Sequence, residues 1–271
     1  MKRISLALLL ILGFLPTAHA ATLLGFWDFE ELSGTTVLDQ SGNGNNGTIG
    51  TAQRTAGQVG RGLFFDGSGG VSIPNSPSLD SLPGGFTLSA WINPTEFPDY
   101  TTIFWKTDRH FREHMLHFQV NGRLYGCMNG PAAVDGPCDF EGIAPNTIGL
   151  NEWHFVAWTY DESVHRFYDN GVEVYSAVFT DPWAGNDIDL LIGYHLEVPS
   201  ADFRGYIDEA RIYSGALTPE ELLRDQNGER VIPELSSFLM MGLGLLGAPF
   251  INRRRPAANK SLTVPGTKGT G

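Results

Sequence analysis

A chain of 271 residues with 30 acidic against 18 basic side chains carries a formal charge of −12 at pH 7. All but one of the acidic residues fall between 21 and 232, a stretch that should repel nucleic acid phosphates and anionic membranes and suit cations or neutral partners. At roughly 210 residues it is long enough for a single all-β domain with a sizeable core.

The chain opens with Lys2-Arg3, an apolar run from Ile4 to Leu15, and Ala18-His-Ala20. A basic start, a short apolar stretch and a small-residue end describe a secretory signal peptide over residues 1–20, cleaved after Ala20. The run is too short for a spanning helix.

Gly25-Phe-Trp-Asp-Phe-Glu-Glu31 precedes the loop Asp39-Gln-Ser-Gly-Asn-Gly-Asn-Asn-Gly47. Such a loop turns sharply, visits positive φ and can aim amide and main-chain oxygens at one point. Two readings stand side by side: an oxygen cage for a hard cation such as calcium, and an ordinary Asn/Gly surface turn.

The middle of the chain reads as strands joined by turns. Apolar runs recur at 62–65, 86–92, 102–105, 115–120, 153–160, 164–168, 172–179, 190–194 and 206–213. Asn121-Gly122 and Asp169-Asn-Gly171 are hairpin signals between them. In Trp153-His-Phe-Val-Ala-Trp-Thr-Tyr160 both alternating faces carry large apolar groups, so this strand should be central and covered on both sides. Cys127 and Cys138, close together in an exported chain, are expected to form a disulfide. One helix is predicted at Thr218-Pro-Glu-Glu-Leu-Leu-Arg224, with Thr218 as N-cap, Pro219 at the first position and Glu221 closing a capping box. Short strands without βαβ alternation imply a two-sheet sandwich or jelly roll.

Beyond the domain, assigned to residues 21–230, lies a second apolar stretch from Leu235 to Ile251, followed by Arg253-Arg254-Arg255. Its length is slightly short of a bilayer core of about 30 Å, and its glycines and Pro249 make it a poor soluble helix. With Val231-Ile-Pro-Glu-Leu-Ser-Ser237 and the arginines, residues 231–255 resemble the PEP-CTERM sorting signal of bacterial exported proteins, although Leu235 stands where that family has proline. The resemblance implies processing at a membrane, with transient anchoring through residues 235–251 or a retained anchor as alternatives. Residues 256–271 read as a disordered tail, and the whole as a protein exported to the cell surface or beyond.

Five ordered segments carry a second resemblance: Gly25-Phe-Trp-Asp-Phe-Glu30, Asp39-Gln-Ser-Gly-Asn-Gly-Asn45, Gly62-Leu-Phe-Phe-Asp-Gly67, Phe86-Thr-Leu-Ser-Ala-Trp-Ile92, and Gly205-Tyr-Ile-Asp-Glu-Ala-Arg-Ile-Tyr213 running into Leu217-Thr-Pro-Glu-Glu221. Over Leu23 to Arg224 the chain resembles the LamG-like jelly-roll family of the concanavalin A-like lectin/glucanase superfamily. The resemblance implies an all-β fold: a two-sheet antiparallel jelly-roll sandwich with one short C-terminal helix. It also implies one calcium ion near the seam of the first and last strands, with Glu30, Asn43, Asn45 and Asp208 as ligands. The competing reading pairs Asp208 or Glu30 with Arg211 or Arg61. Glu209, next along the strand, should face away from the site.

The glucanases of that superfamily carry Glu-x-Asp-x-x-Glu on one strand face. The nearest stretch here, Asp187-Ile-Asp-Leu-Leu191, lacks the second acid, so no catalytic residue is assigned. His110, His114 and His117 lack a zinc pattern. Phe97, Tyr100 and Trp183 could stack on sugar rings or simply pack. The expected function is an exported, non-catalytic, calcium-binding module for carbohydrate or another cell-surface or matrix component. The alternatives are a matrix adhesion protein with a protein partner and, behind it, a glycan hydrolase.

Overall fold

The computed structural model describes residues 21–231 apart from 81, 99–100, 108–115, 130–137, 146–147, 182, 184, 197 and 230. The segments read as signal peptide (1–20), sorting signal (231–255, but for Val231) and tail (256–271) therefore lie outside the described residues, as do Tyr100, His110 and His114.

Two antiparallel sheets face each other across one core. In chain order the strands are β1 (Thr22–Trp27), β2 (Thr36–Val37), β3 (Gly47–Ile49), β4 (Gln53–Ala56), β5 (Arg61–Asp66), β6 (Val71–Ile73), β7 (Phe86–Pro94), β8 (Thr101–Lys106), β9 (Leu116–Val120), β10 (Leu124–Met128), β11 (Phe140–Ile143), β12 (His154–Tyr160), β13 (Val164–Asp169), β14 (Val172–Val178), β15 (Leu190–Ile192) and β16 (Arg204–Ser214). The first sheet runs β14-β13-β12-β7-β16-β5-β4, with β1 added on β16, and the second β11-β10-β9-β8-β15-β6-β3-β2. This is the expected jelly-roll sandwich.

Alternation explains the layering. On β12, Val156, Trp158 and Tyr160 face the inter-sheet core, while Phe155 and Ala157 face a second apolar cluster on the outer side of the first sheet. The whole strand is buried, as its two-faced apolar pattern requires. The outer cluster is closed by α1 (Pro219–Gln226), which contributes Leu222. Thr218 caps α1 through the N–H of Glu221, and Glu221 returns the bond to the N–H of Thr218. A buried polar network fastens the helix from beneath. Asp225 accepts hydrogen bonds from Ser89 and Tyr213 and pairs with Arg211 at 3.4 Å, and Arg211 also pairs with Glu209.

The hairpins fall where the turn residues stand: Gly122 joins β9 to β10, and Asn170-Gly171, with φ of 51° and 78°, joins β13 to β14. The strand expected over 190–194 ends at Ile192. Gly193 turns away at φ 79° and lies so close to the Phe65 ring that a Cβ would stand 2.2 Å from it. Cys127 and Cys138 are bonded, with their Cα atoms 5.5 Å apart.

Candidate functional site

The long strand β16 changes partner halfway along one edge. Arg204 to Ile207 pair with β5, and Ala210 to Ser214 pair with β1. Asp208 and Glu209 fall in the gap between these two ladders. On the opposite edge the register against β7 slips between Asp208 and Arg211, a β-bulge. Glu209 takes φ 53°, and Phe29, just past the end of β1, takes φ 54°. Two chain segments leave extended geometry at one seam, and each carries an acid there: Asp208 on one and Glu30 on the other.

Both acids hold the turn between β4 and β5. Asp208 Oδ2 accepts the N–H of Val59 at 2.9 Å, Asp208 Oδ1 accepts that of Glu209 at 2.8 Å, and Glu30 Oε1 accepts that of Arg61 at 2.7 Å. The turn is glycine-rich because the carboxylates leave no room. A Cβ on Gly57 would lie 2.4 Å from Asp208 Oδ2, and one on Gly60 2.0 Å from Glu30 Oε1. Asp208 is fully buried and, among the described residues, has no cationic side chain beside it. Burial pushes its carboxyl up to about 7, with the neighbouring Glu209 charge adding to the rise and main-chain N–H groups opposing it. The expected competitor, Arg211, is engaged instead by Glu209 and Asp225, and Glu30 meets the main chain of Arg61.

Asn43 and Asn45 sit elsewhere. Asn43 Nδ2 donates to the carbonyls of Leu23 and Leu24, and Asn45 Nδ2 to that of Leu24. Asn45 Oδ1 accepts the Ser76 hydroxyl at 2.6 Å, and its main-chain oxygen accepts the Trp27 indole N–H at 2.8 Å. Asp39 organises the loop by accepting the N–H groups of Phe26, Ser41 and Asn45. The loop thus clamps β1 along its length, from Leu23 to Trp27, and Glu30 follows shortly past the end of that strand. The structure brings Glu30 and Asp208 to one turn and ties the two asparagines to β1 and, through Asn45, to Ser76 and Ser78. Among the described residues no three His, Cys, Asp or Glu side chains gather to hold a metal. Calcium takes 6–8 oxygens, so the four side chains do not form a complete cage as placed.

Across the same turn lies an open cleft of 370 Å³ lined by Thr55, Ala56, Gly57, Asn93, Trp153 and Tyr206. Register assembles it from distant segments. Tyr206 pairs with Asn93 on β7 and with Phe64 on β5, and Trp153 immediately precedes β12, whose His154 pairs with Ile92. Trp153, Asn93, Tyr206 and Phe64 therefore form a transverse row on the outer face of the first sheet. Tyr206 lies 5.1 Å from the Phe64 ring and 6.1 Å from that of Trp153, and all four side chains are half-buried. Asn93 Oδ1 is buried without a hydrogen-bond partner.

The other sequence candidates resolve into packing. Trp183 is buried in the core and Phe97 packs against it. Asp189 accepts the N–H of Asn75 and the hydroxyl of Ser72, and it and Asp187 are exposed. His117 is on β9. The row of four was legible in part: Phe65 and Ile207 are core residues, so alternation turns Phe64 and Tyr206 outward, where large aromatics require a cover or a ligand.

A two-sheet antiparallel sandwich with one capping helix and an aromatic cleft on a sheet face defines a lectin-like jelly roll. The family model Laminin_G_3, of the concanavalin A-like lectin/glucanases superfamily, matches residues 65–223, and the chain belongs to that family. Among solved structures it is similar to domain 4 of AbnA, a GH43 extracellular arabinanase from Geobacillus stearothermophilus, in complex with arabinotriose. The identity is 24%, 76% of this chain and 99% of that one are covered, and the TM-score is 0.59. It is similar to the binding domain of Paraclostridial Mosquitocidal Protein 1 at 17% identity over 76% of this chain and 52% of that one, TM-score 0.59. The botulinum neurotoxin serotype G binding domain follows at 14% over 74% and 50%, TM-score 0.58. At these identities the likeness shows the fold, and the chain spans about half the length of the two toxin domains. No curated protein matches it in sequence.

Proposed function

We propose that this protein is an exported, non-catalytic module that binds carbohydrate or another surface component and takes one calcium ion at the β1–β16 seam. The observation that carries the reading is Asp208: a fully buried carboxylate, lacking a cationic partner among the described residues, shares one turn with a second acid, Glu30. Glu30 and Asp208 would hold the ion together with main-chain oxygens, while Asn43 and Asn45 brace β1 nearby. When bound, calcium supplies positive charge that offsets two neighbouring carboxylates and ties the two ends of the domain together.

A related jelly-roll domain bound to arabinotriose supports carbohydrate as the ligand class. A binding role is favoured over hydrolysis because retaining glycosidases need two carboxyls about 5–5.5 Å apart across the scissile bond, and Asp189 is committed to Asn75 and Ser72. The test is a glycan array probed with the full chain, in calcium and in chelator. Structurally related, calcium-dependent hits are expected. Silence from folded protein would move the ligand class to protein and the role to adhesion.

A further inference from the structure

We propose that the transverse row Trp153, Asn93, Tyr206 and Phe64 is the ligand subsite and that it takes an uncharged sugar ring. The inference deepens the reading of the chain as a carbohydrate-binding module and rests on it.

The middle of the first sheet's outer face is covered. α1 packs on Trp91, Phe155, Ala157, Tyr168 and Tyr213, and the helix cover reaches as far as Trp91, whose indole N–H donates to Gln226 O at 3.2 Å. Asn93 is the next residue of β7 on that face, so the row begins where the helix cover ends. Half-buried aromatics left uncovered in this way retain unspent dispersion and apolar contact area. The C–H face of a sugar ring matches that surface, and the hydroxyls around its rim match the polar groups beside it. The Thr55 hydroxyl and the Tyr206 phenol can donate or accept, and Asn93 carries the decisive signal. Asn93 Oδ1 is shielded from water and unpaired, a costly state for a carbonyl oxygen, and a turn of the amide toward a hydroxyl seated in the cleft supplies the missing donor.

Charge decides between sugars. Glu30 and Asp208, on the other flank of the turn that forms the cleft wall, are offset by the proposed calcium ion and by Arg61, so the charge beside the row is that of the exposed Glu152, next to Trp153 in sequence. The chain as a whole is strongly acidic. An anionic sugar would meet repulsion from Glu152 and from the net negative charge of the domain, whereas a neutral one would not.

The experiment titrates the full chain, with its tryptophan indoles 15N-labelled, separately with arabinotriose, xylotriose, cellotriose and the anionic 3′-sialyllactose. The Trp153 indole signal is assigned by its loss in Trp153→Phe. At least one neutral trisaccharide should shift that signal. Trp153→Ala and Asn93→Ala should each raise its Kd at least tenfold, and Tyr194→Phe, in the separate cavity lined by Thr51 and Gly70, should leave it unchanged. Because Trp153 also packs against the outer cluster, melting temperatures accompany every variant, and Asn93→Ala serves as the substitution that spares aromatic packing. A neutral trisaccharide that binds equally well to both alanine variants would overturn the subsite and leave the binding reading standing. Tighter binding of 3′-sialyllactose would overturn the neutrality. Failure of all four sugars with folded wild-type protein would overturn the subsite, and the glycan array decides the carbohydrate reading separately.

Discussion

Replacing Asp208 by asparagine should remove a pH dependence that the seam imposes on the metal-free protein. An unfolded aspartate releases its proton near 3.8, whereas the folded Asp208 keeps it to about 7 because burial penalises the charged form. Between those values the folded chain binds the extra proton. Stability contributed by this group is therefore fully present below about 3.8 and is lost as the pH rises through about 7. A shift of about three units at roughly 1.4 kcal/mol each gives a loss on the order of 4 kcal/mol across that window. Other buried groups contribute as well. Asp202, pushed up to about 6 by burial, acts in the same sense, while His165 and His195, held down to about 3 and about 4, act in the opposite one. The informative quantity is thus the difference between wild type and Asp208→Asn, in which those groups cancel. Urea unfolding in chelator at half-unit steps from pH 4 to 8 measures it. Asparagine still accepts one of the two main-chain N–H groups, so its own cost is a pH-independent offset of about 1–3 kcal/mol. The wild type should lose its advantage steadily as the pH rises, and calcium should restore it at pH 8 in the wild type alone. A difference that stays constant within about 1 kcal/mol over the whole range would refute a buried, uncompensated Asp208.

Four further outcomes are expected. Thr218→Ala removes one half of the capping box and should cost about 1 kcal/mol by chemical unfolding, with no change in calcium response. Asp225→Ala leaves Arg211, Tyr213 and Ser89 without their shared acceptor beneath α1, and should destabilise by about 3–5 kcal/mol in the same assay. Breaking the Cys127–Cys138 link with paired serines reopens a short loop and should cost roughly 2–3 kcal/mol on the chain-entropy argument. By NMR titration, His154 and His165 should separate widely. The hydrogen bond to Asp169 holds the His154 imidazolium above its ordinary range, so its stabilisation is lost only as the pH rises past that raised value. His165, stacked on Tyr160 and accepting the Trp158 indole N–H, should stay neutral down to about pH 4, and the reverse order of titration would contradict its burial.

What the sequence discloses about this domain follows the range over which each feature is determined. The cap at Thr218 depends on four consecutive residues, the β13–β14 turn on Asn170 and Gly171, and the two-faced burial of β12 on alternation within eight residues. All three were legible because local chemistry decides them. The asparagine loop was not, because an amide offers both a donor and an acceptor. That Asn43 spends its nitrogen on the carbonyls of Leu23 and Leu24, about twenty residues earlier, could not be read from the loop's own residues. The alternation along β16 is interrupted at Asp208 and Glu209 by a bulge, seen in the register slip against β7 and in the φ of 53° at Glu209, and no glycine marks it in the sequence. The cleft is the most distributed feature of all. The aromatic row beside it draws on β5, β7, the entry to β12 and β16, aligned by the registers Tyr206–Asn93, Tyr206–Phe64 and His154–Ile92. Each aromatic alone reads as packing. Set side by side beyond the reach of α1, they offer a ligand a continuous surface that no one of them presents alone.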